Sequence, residues 1–317
     1  MGPRQVTVFG ASGFLGRHVV KRLAADGARI VAAVRDPEAA AFLRTMGDVG
    51  QIVPLACDIR NEALVARALA GSDAAVNLVG ILYEKGSNSF DAIHAEGPGL
   101  IARVAATAGL RSLVHVSAIG ADENAVSAYA SSKGRGEAAV RAAFPGAVIL
   151  RPSIVFGPED DFFNRFACLA RLVPALPLFG GGKTRFQPVY VCDVAEAVAR
   201  SLARHDARGQ TLELGGPRVA TFRELMEEIL SVTGRRRGLL SLPMGLADVI
   251  GFFGDLGKVF GIPPQLTRDQ AVLLRSDNVA SSDGLAALGI RATAMEVVLP
   301  AYLDRFRRTG RFQSARF

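Results

Sequence analysis

The stretch Gln5-Val6-Thr7-Val8-Phe9-Gly10-Ala11-Ser12-Gly13-Phe14-Leu15-Gly16 decides the fold. Gln5 to Phe9 is a short β-branched and aromatic run, and from Phe14 to Ala25 apolar residues recur at helical spacing. Between them, Gly10, Gly13 and Gly16 form G-x-x-G-x-x-G. A strand that turns directly into a helix leaves the N–H groups of the first helical turn unpaired at the positive end of the helix dipole. A dinucleotide pyrophosphate docks at such a point, which makes Gly10, Ser12, Gly13, Phe14, Leu15 and Gly16 candidate cofactor-binding residues. The spacing differs by one residue from G-x-G-x-x-G, and with 34 glycines in the chain an ordinary tight turn is the competing reading. The strand before and helix after favour the nucleotide.

Outward from this turn the pattern repeats. Strands are predicted at Gln5 to Phe9, Arg29 to Val34, Gln51 to Leu55, Ala74 to Val79, Ser112 to Ser117 and Ala147 to Leu150. Helices are predicted at Phe14 to Ala25, Glu62 to Leu69, Ser89 to Ala108 and Ala128 to Ala143, with Gly27, Gly71 and Gly109 as stops. Six strands joined by helical crossovers make an α/β, doubly wound parallel sheet of the Rossmann type over residues 1–151. From residue 152 to 317 Pro and Gly become frequent and the elements shorten, with strands expected at Gln187 to Val191 and Thr211 to Leu214. Helices are expected at Asp193 to Arg204, Thr221 to Thr233 and Met295 to Arg307. This portion reads as a smaller C-terminal α/β lobe, partly interleaved with the first, that shapes a substrate or interaction site.

The second strand ends at Val34-Arg35-Asp36, nineteen residues past Gly16. An acid there binds the ribose 2′-OH of NAD, whereas an arginine accepts the 2′-phosphate of NADP. Arg35 comes first, and Asp36 before Pro37 can cap the next turn, so NADPH is expected rather than NAD(H). Asp58 and Ile59 follow the third strand. Asp58 is placed either to meet the adenine amino group or to cap the helix at Glu62. Val79 and Gly80 end the fourth strand, and their backbone is expected close to the cofactor.

Tyr129 and Lys133 form Y-x-x-x-K at the start of the helix after the fifth strand, which ends at Ser117. Four residues apart, the two side chains share one helical face, where an ammonium favours the phenolate of its neighbour. Tyr129 can then exchange a proton with a substrate oxygen, Lys133 can hold the nicotinamide ribose, and Ser117 can orient the substrate. In the alternative reading Tyr129 packs and Lys133 only binds ribose. Gly180-Gly181-Gly182-Lys183-Thr184 imitates a phosphate loop, but Pro177 stands where its first glycine is needed and a strand is expected to follow.

The formal charge of +7 resolves on inspection into five arginines after Asp304, namely Arg305, Arg307, Arg308, Arg311 and Arg316, on a body holding 32 basic and 30 acidic residues. No nucleic-acid motif accompanies them, so the tail reads as a docking or disordered end. Cys57, Cys168 and Cys192 offer no disulfide framework, and they and the four histidines show no metal-ligand spacing. A cytoplasmic protein without a secretory leader is expected. Residues 239–262 are apolar but interrupted by Pro243, Asp248, Asp255 and Lys258. They suit an amphipathic helix, packed internally or meeting a membrane beside Arg235-Arg236-Arg237, better than a membrane span.

Taken with Arg151-Pro152-Ser153-Ile154-Val155-Phe156-Gly157-Pro158 and Pro188-Val189-Tyr190-Val191-Cys192-Asp193-Val194-Ala195, the glycine turn and the Tyr-Lys pair resemble the extended and atypical short-chain dehydrogenase/reductases. Phe156 to Asn164, Gln187 to Tyr190 and Leu266 to Gln270 are similar, within that superfamily, to the nucleotide-binding accessory subunits of respiratory complex I and their bacterial relatives. The resemblance implies NADPH held outside the electron-transfer path of NADH:quinone oxidoreductase, with a mainly structural or stabilising role. It also implies complex I subunits near the quinone site and membrane surface as partners, and a peripheral position on the cytoplasmic face of the inner membrane. Pro152 and Ile154 would then lie beside the nicotinamide. Because Ser117, Tyr129 and Lys133 are all present, a second class stays open. That class is a free-standing NADP-dependent oxidoreductase or epimerase acting on a sugar-nucleotide, isoprenoid or quinone-like small molecule.

Overall fold

The computed structural model describes residues 4–259 and 267–307. Seven strands make one parallel sheet: β1 (Gln5–Phe9), β2 (Arg29–Val34), β3 (Ile52–Ala56), β4 (Ala74–Asn77), β5 (Ser112–Val116), β6 (Val148–Pro152) and β7 (Thr211–Leu214). Their spatial order is β3-β2-β1-β4-β5-β6-β7. The helices of this unit are α1 (Phe14–Ala25), α2 (Glu62–Leu69), α3 (Gly97–Thr107), α4 (Ala128–Ala143) and α5 (Val191–Ala203). The strand order reverses between β1 and β4, which opens a crevice at their C-terminal ends where a Rossmann sheet takes its ligand.

Alternation along the strands supplies two apolar faces. Phe9, Ala75 and Leu113 pack with Val65, Ala68, Ile101, Ala105 and Val140 of α2, α3 and α4. The intervening Val6, Val8, Val76 and Val114 are fully buried as well. On the other side of the chain order, α1 and α5 pack together, tied by Arg22 Nε to Glu196 Oε2 at 2.5 Å.

The structure corrects several expectations. Thr211–Leu214 does not belong to the second lobe: it extends the main sheet, pairing Leu212 with Leu150. The helix before it, α5, belongs to the same unit, because the chain crosses back at Val191 and again for 281–291. The predicted strand Gln187 to Val191 shrinks to Val189–Tyr190, since Val191 already opens α5. β4 stops at Asn77, whose side chain takes the N–H of Val79 and turns the backbone. The predicted helix Ser89 to Ala108 begins as a π-helical turn, Asp91–Glu96, before α3.

The second compact unit comprises Ser153–Tyr190, Gly215–Ala280 and the chain from Ala292. Its core gathers Phe156, Phe163, Leu176, Leu178, Phe222 and Ile229 among others. A buried knot explains the Phe156 to Asn164 motif. The carboxylate of Asp160 accepts the N–H groups of Gly157, Phe163 and Asn164 and the hydroxyl of Tyr302, the last at 2.5 Å. Burial nevertheless pushes this carboxyl up, and burial beside Asp160 pushes the Tyr302 phenol up.

The apolar segment 239–262 is not one helix. Gly238–Leu242 pairs in parallel with Ala175–Phe179, and a helix runs over Met244–Val259. The acids of this helix are paired at the surface: Asp248 with Arg275 at 2.6 Å, while Asp255 accepts the N–H of Arg268. Among the described residues of that helix Leu246, Val249, Ile250 and Phe252 are exposed large apolar residues, with Leu240 and Leu273 also exposed in this unit. No helix among the described residues is long and apolar enough to cross a membrane. Arg235 and Arg237 donate to the carbonyls of Phe306 and Ala170, so of the arginine run only Arg236 is exposed. Arg305 donates to Asn164 Oδ1 and Arg307 to the Val232 carbonyl, which docks the start of the basic tail. Arg308, Arg311 and Arg316, the end of the apolar segment and Leu266 lie outside the described residues.

Candidate functional site

The turn after β1 is built for close backbone approach. Gly10 has φ +78°, and a Cβ there would stand 3.2 Å from the backbone of Leu78 and Val79. At Gly16 a Cβ would stand 2.2 Å from the Gly10 carbonyl oxygen, so only glycine lets α1 start this tightly. Gly13 is the N-cap of α1, with no side-chain cap and no acid in the first turn. The first-turn N–H groups, which begin at Phe14, Leu15 and Gly16, are therefore presented to an anion. Ser12 is half-buried on the same turn, and its carbonyl accepts from Arg17.

Arg35 is exposed one residue past β2. Asp36 turns its carboxylate to the N–H groups of Glu38 and Ala39 and so caps the following turn, as its place before Pro37 suggests. Asp58 does not cap α2. Asn61 does, accepting from Leu64, while Asp58 accepts two guanidinium nitrogens and the N–H of Arg60. The Arg60 contact, with a smaller contribution from Arg35, holds the Asp58 carboxyl below the usual range. Ile59 is buried against Gly97, so its side chain serves packing.

Beyond the crevice, α4 presents Tyr129 and Lys133. Ser127 caps this helix through the N–H of Ala130. Lys133 is buried, with Nζ 3.4 Å from the Val116 carbonyl and 6.0 Å from the Tyr129 ring centre. Burial lowers its pKa to about 8, partly offset by Glu137. Ser117 is next along from Val116 and buried, and among the described residues its Oγ has no hydrogen-bond partner. Gly80 is exposed, and a Cβ on it would stand 3.4 Å from Lys133 Nζ. Val79 packs at Gly10. The fold thus brings together Gly10, Val79, Gly80, Ser117, Tyr129 and Lys133 from four separate stretches of chain. Pro152 ends β6 and is buried, its carbonyl accepting from Ile119. Ile154 lies in the second unit, where its carbonyl accepts from Val189.

Three groups at this site escaped the sequence reading. His94 stacks on Phe90 and meets the Tyr129 ring edge-on at 5.2 Å. His115 accepts from the Asn77 amide, so its proton sits on Nε2. Burial and Lys133 hold both histidines neutral, at about 2 and about 3. Glu137, fully buried, forms a bidentate pair with Arg151 at 2.8 Å. Helical spacing could have found Glu137, four residues after Lys133 as Lys133 is four after Tyr129, and strand alternation could have placed His115 beside Ser117. His94 carried no such signal. Gly180–Gly182 form a short 3₁₀ turn followed by the strand Arg185–Phe186, so no phosphate loop exists there. Among the described residues no group of His, Cys, Asp or Glu could hold a metal.

The site can hold an extended nucleotide with phosphates at α1, and can place one proton-exchanging phenol beside one cation. Residues 6–215 match the model of the NAD dependent epimerase/dehydratase family. The chain is 35% identical over 308 residues to NADH dehydrogenase (ubiquinone) 1 alpha subcomplex subunit 9, mitochondrial, of Rattus norvegicus, covering 95% of this chain and 80% of that one. It is 32% identical to a ceramide reductase of Caulobacter vibrioides over 81% of each chain. Among solved structures, an NADPH-dependent quinone oxidoreductase from Escherichia coli complexed with NADPH superposes with a TM-score of 0.73 at 20% identity, over 92% of this chain and 97% of that one.

Proposed function

The chain belongs to the NAD dependent epimerase/dehydratase family, and from that premise we propose that it binds NADPH and serves as a mainly structural accessory subunit of NADH:quinone oxidoreductase, complex I. The observation that carries this reading is the 35% identity to the rat subunit along 95% of the chain. NADPH when bound supplies a hydride, and the residues here bind and orient it. The uncapped start of α1 takes the pyrophosphate, and the absence of room at Gly10 and Gly16 keeps that backbone close. Arg35 favours the 2′-phosphate, because Asp36, the acid that could hold a 2′-OH, is committed to Glu38 and Ala39. Asp58 and Val79 line the adenine and diphosphate side, while Gly80, Lys133 and Pro152 receive the nicotinamide ribose and ring. Ser117 Oγ, buried without a protein partner, suits a polar group of a bound ligand.

The protein is peripheral on the cytoplasmic face of the inner membrane, beside complex I subunits near the quinone site. Exposed Leu246, Val249, Ile250 and Phe252 on one helix support a surface that meets lipid or an apolar subunit. Purification in mild detergent tests the whole reading. Co-elution with NADH:quinone oxidoreductase activity, and NADPH or NADP⁺ in the mass spectrum of released nucleotide, is expected. Elution alone, with turnover of NADPH on a carbonyl substrate, overturns it.

A second reading is favoured by the convergence of Ser117, Tyr129 and Lys133, and by the ceramide reductase relative. There the protein is an NADP-dependent oxidoreductase or epimerase, and Tyr129 passes the proton. Tyr129→Phe and Gly13→Asp together separate the two: assembly and respiration intact in the first but disrupted in the second mark a structural role, whereas NADPH turnover lost in Tyr129→Phe with assembly and respiration intact in both marks a free-standing enzyme.

A further inference from the structure

We propose that His94 is a positioning residue for the nicotinamide half of the cofactor, locking the loop after β4 to the helix that carries Tyr129 and Lys133. The proposal rests on the NADPH-binding reading. His94 is fully buried, and both of its ring nitrogens are engaged. The N–H of Ile81 can only donate, so Nε2, 2.9 Å away, accepts, and the neutral ring carries its proton on Nδ1. Nδ1–H then donates to Ser132 Oγ at 3.0 Å, and the Ser132 hydroxyl donates to the Tyr129 carbonyl at 2.8 Å. Each proton in this chain has one direction, so neither the His94 ring nor the Ser132 hydroxyl can rotate without breaking two bonds.

Three further contacts converge on the same ring. Gly80 lies close to it, where a Cβ would stand 3.6 Å from Nε2 and 3.4 Å from Lys133 Nζ. Phe90 stacks on it with ring centres 5.3 Å apart, and Tyr129 meets it edge-on. The main-chain carbonyl of His94 faces Gly136 of α4, where a Cβ would stand only 1.8 Å away, so the two backbones are in contact. This delivery depends on the π-helical turn Asp91–Glu96, a geometry that recurs at functional sites. A movement of the Gly80 loop is therefore passed to Lys133 and Tyr129.

The test compares two probes, NADPH and adenosine 2′,5′-bisphosphate, which lacks the nicotinamide half, on the full chain by calorimetry. His94→Phe keeps a flat ring and removes both hydrogen bonds. Ser132→Ala breaks only the link to α4, and His94→Gln retains an acceptor for Ile81. His94→Phe and Ser132→Ala should weaken NADPH about tenfold, the worth of a buried hydrogen bond, while the bisphosphate binds within about twofold of wild type; His94→Gln should recover part of the loss. Equal losses for both probes would mean a merely structural histidine and overturn the proposal, as would no loss for either. If wild type binds the bisphosphate but not NADPH, or neither, the NADPH reading itself falls and this inference with it.

Discussion

Gly13 and Gly16 lie three residues apart in one turn, yet replacing them should have opposite consequences. A Cβ on Gly16 would stand 2.2 Å from the Gly10 carbonyl oxygen and 2.6 Å from that of Ala11. Comfortable non-bonded contacts begin near about 3.5 Å, so the start of α1 must retreat from β1 by about 1 Å. Such overpacking costs about 1–3 kcal/mol, against a gain in helix propensity of at most about 1 kcal/mol. Gly16→Ala should thus lose about 1–2 kcal/mol and lower Tm by about 2–3 °C. Gly13 is exposed, with φ −68° and ψ 175°, the extended backbone of an N-cap. In Gly13→Asp the new carboxylate can cap α1, gaining a few tenths of a kcal/mol, while its Cβ stands a tight 3.2 Å from the Gly10 carbonyl. Stability should stay within about 0.5 kcal/mol of wild type. The same carboxylate occupies the N–H groups meant for pyrophosphate and repels it by about 4 kcal/mol at 4 Å and an effective dielectric of 20. NADPH affinity should therefore fall at least about a hundredfold. Urea denaturation paired with NADPH titration decides the matter. Gly13→Asp unfolding as readily as Gly16→Ala, or binding NADPH like wild type, would refute the assignment of one glycine to the ligand and the other to the fold.

Arg35→Ala should weaken NADPH at least about tenfold through loss of a charge-assisted contact, and NADH little; equal losses measured by titration exclude the 2′-phosphate role. Tyr302→Phe removes one donor from the buried Asp160 carboxylate and should cost about 1–3 kcal/mol in urea unfolding, and an unchanged midpoint would contradict the knot. Lys133 carries its proton in the folded chain only up to about pH 8, against 10.5 when unfolded. Between those values the unfolded state binds more protons, so the stability of the nucleotide-free protein should rise with pH there. NADPH affinity should fall over the same rise through pH 8, and both slopes should vanish in Lys133→Met; a pH-independent affinity in wild type would rule out the ammonium as a ligand group.

Local chemistry made much of this molecule legible. α1, α2 and α4 occupy the stretches read from helical spacing, and the phosphate turn and the Tyr129–Lys133 face follow from spacing along the chain. Features whose cause lies far along the chain were not legible. Asp58 reads from the sequence as a candidate cap of α2, but Asn61 takes that place, and the position of the Arg60 guanidinium engages Asp58 elsewhere. Asp248 and Asp255 share a polar helical face, but their partners, Arg275 and the N–H of Arg268, come from a later stretch, and apolar Val249 and Phe252 are exposed on the same helix.

By itself, then, the sequence determined that β1 runs into α1 through a turn open to an anion, and that a phenol and an ammonium share one helix face. Those properties depend on dihedral preference and on periods of 2.0 and 3.6 residues. The tertiary structure alone decided that Thr211–Leu214 completes the sheet beside β6, and that His94, from a stretch without any motif, joins the Gly80 loop to Tyr129 and Lys133. Pairing of that kind is settled by which buried donors and acceptors meet once the layers close, and residues far apart in the chain carry no local mark of the partner they will find.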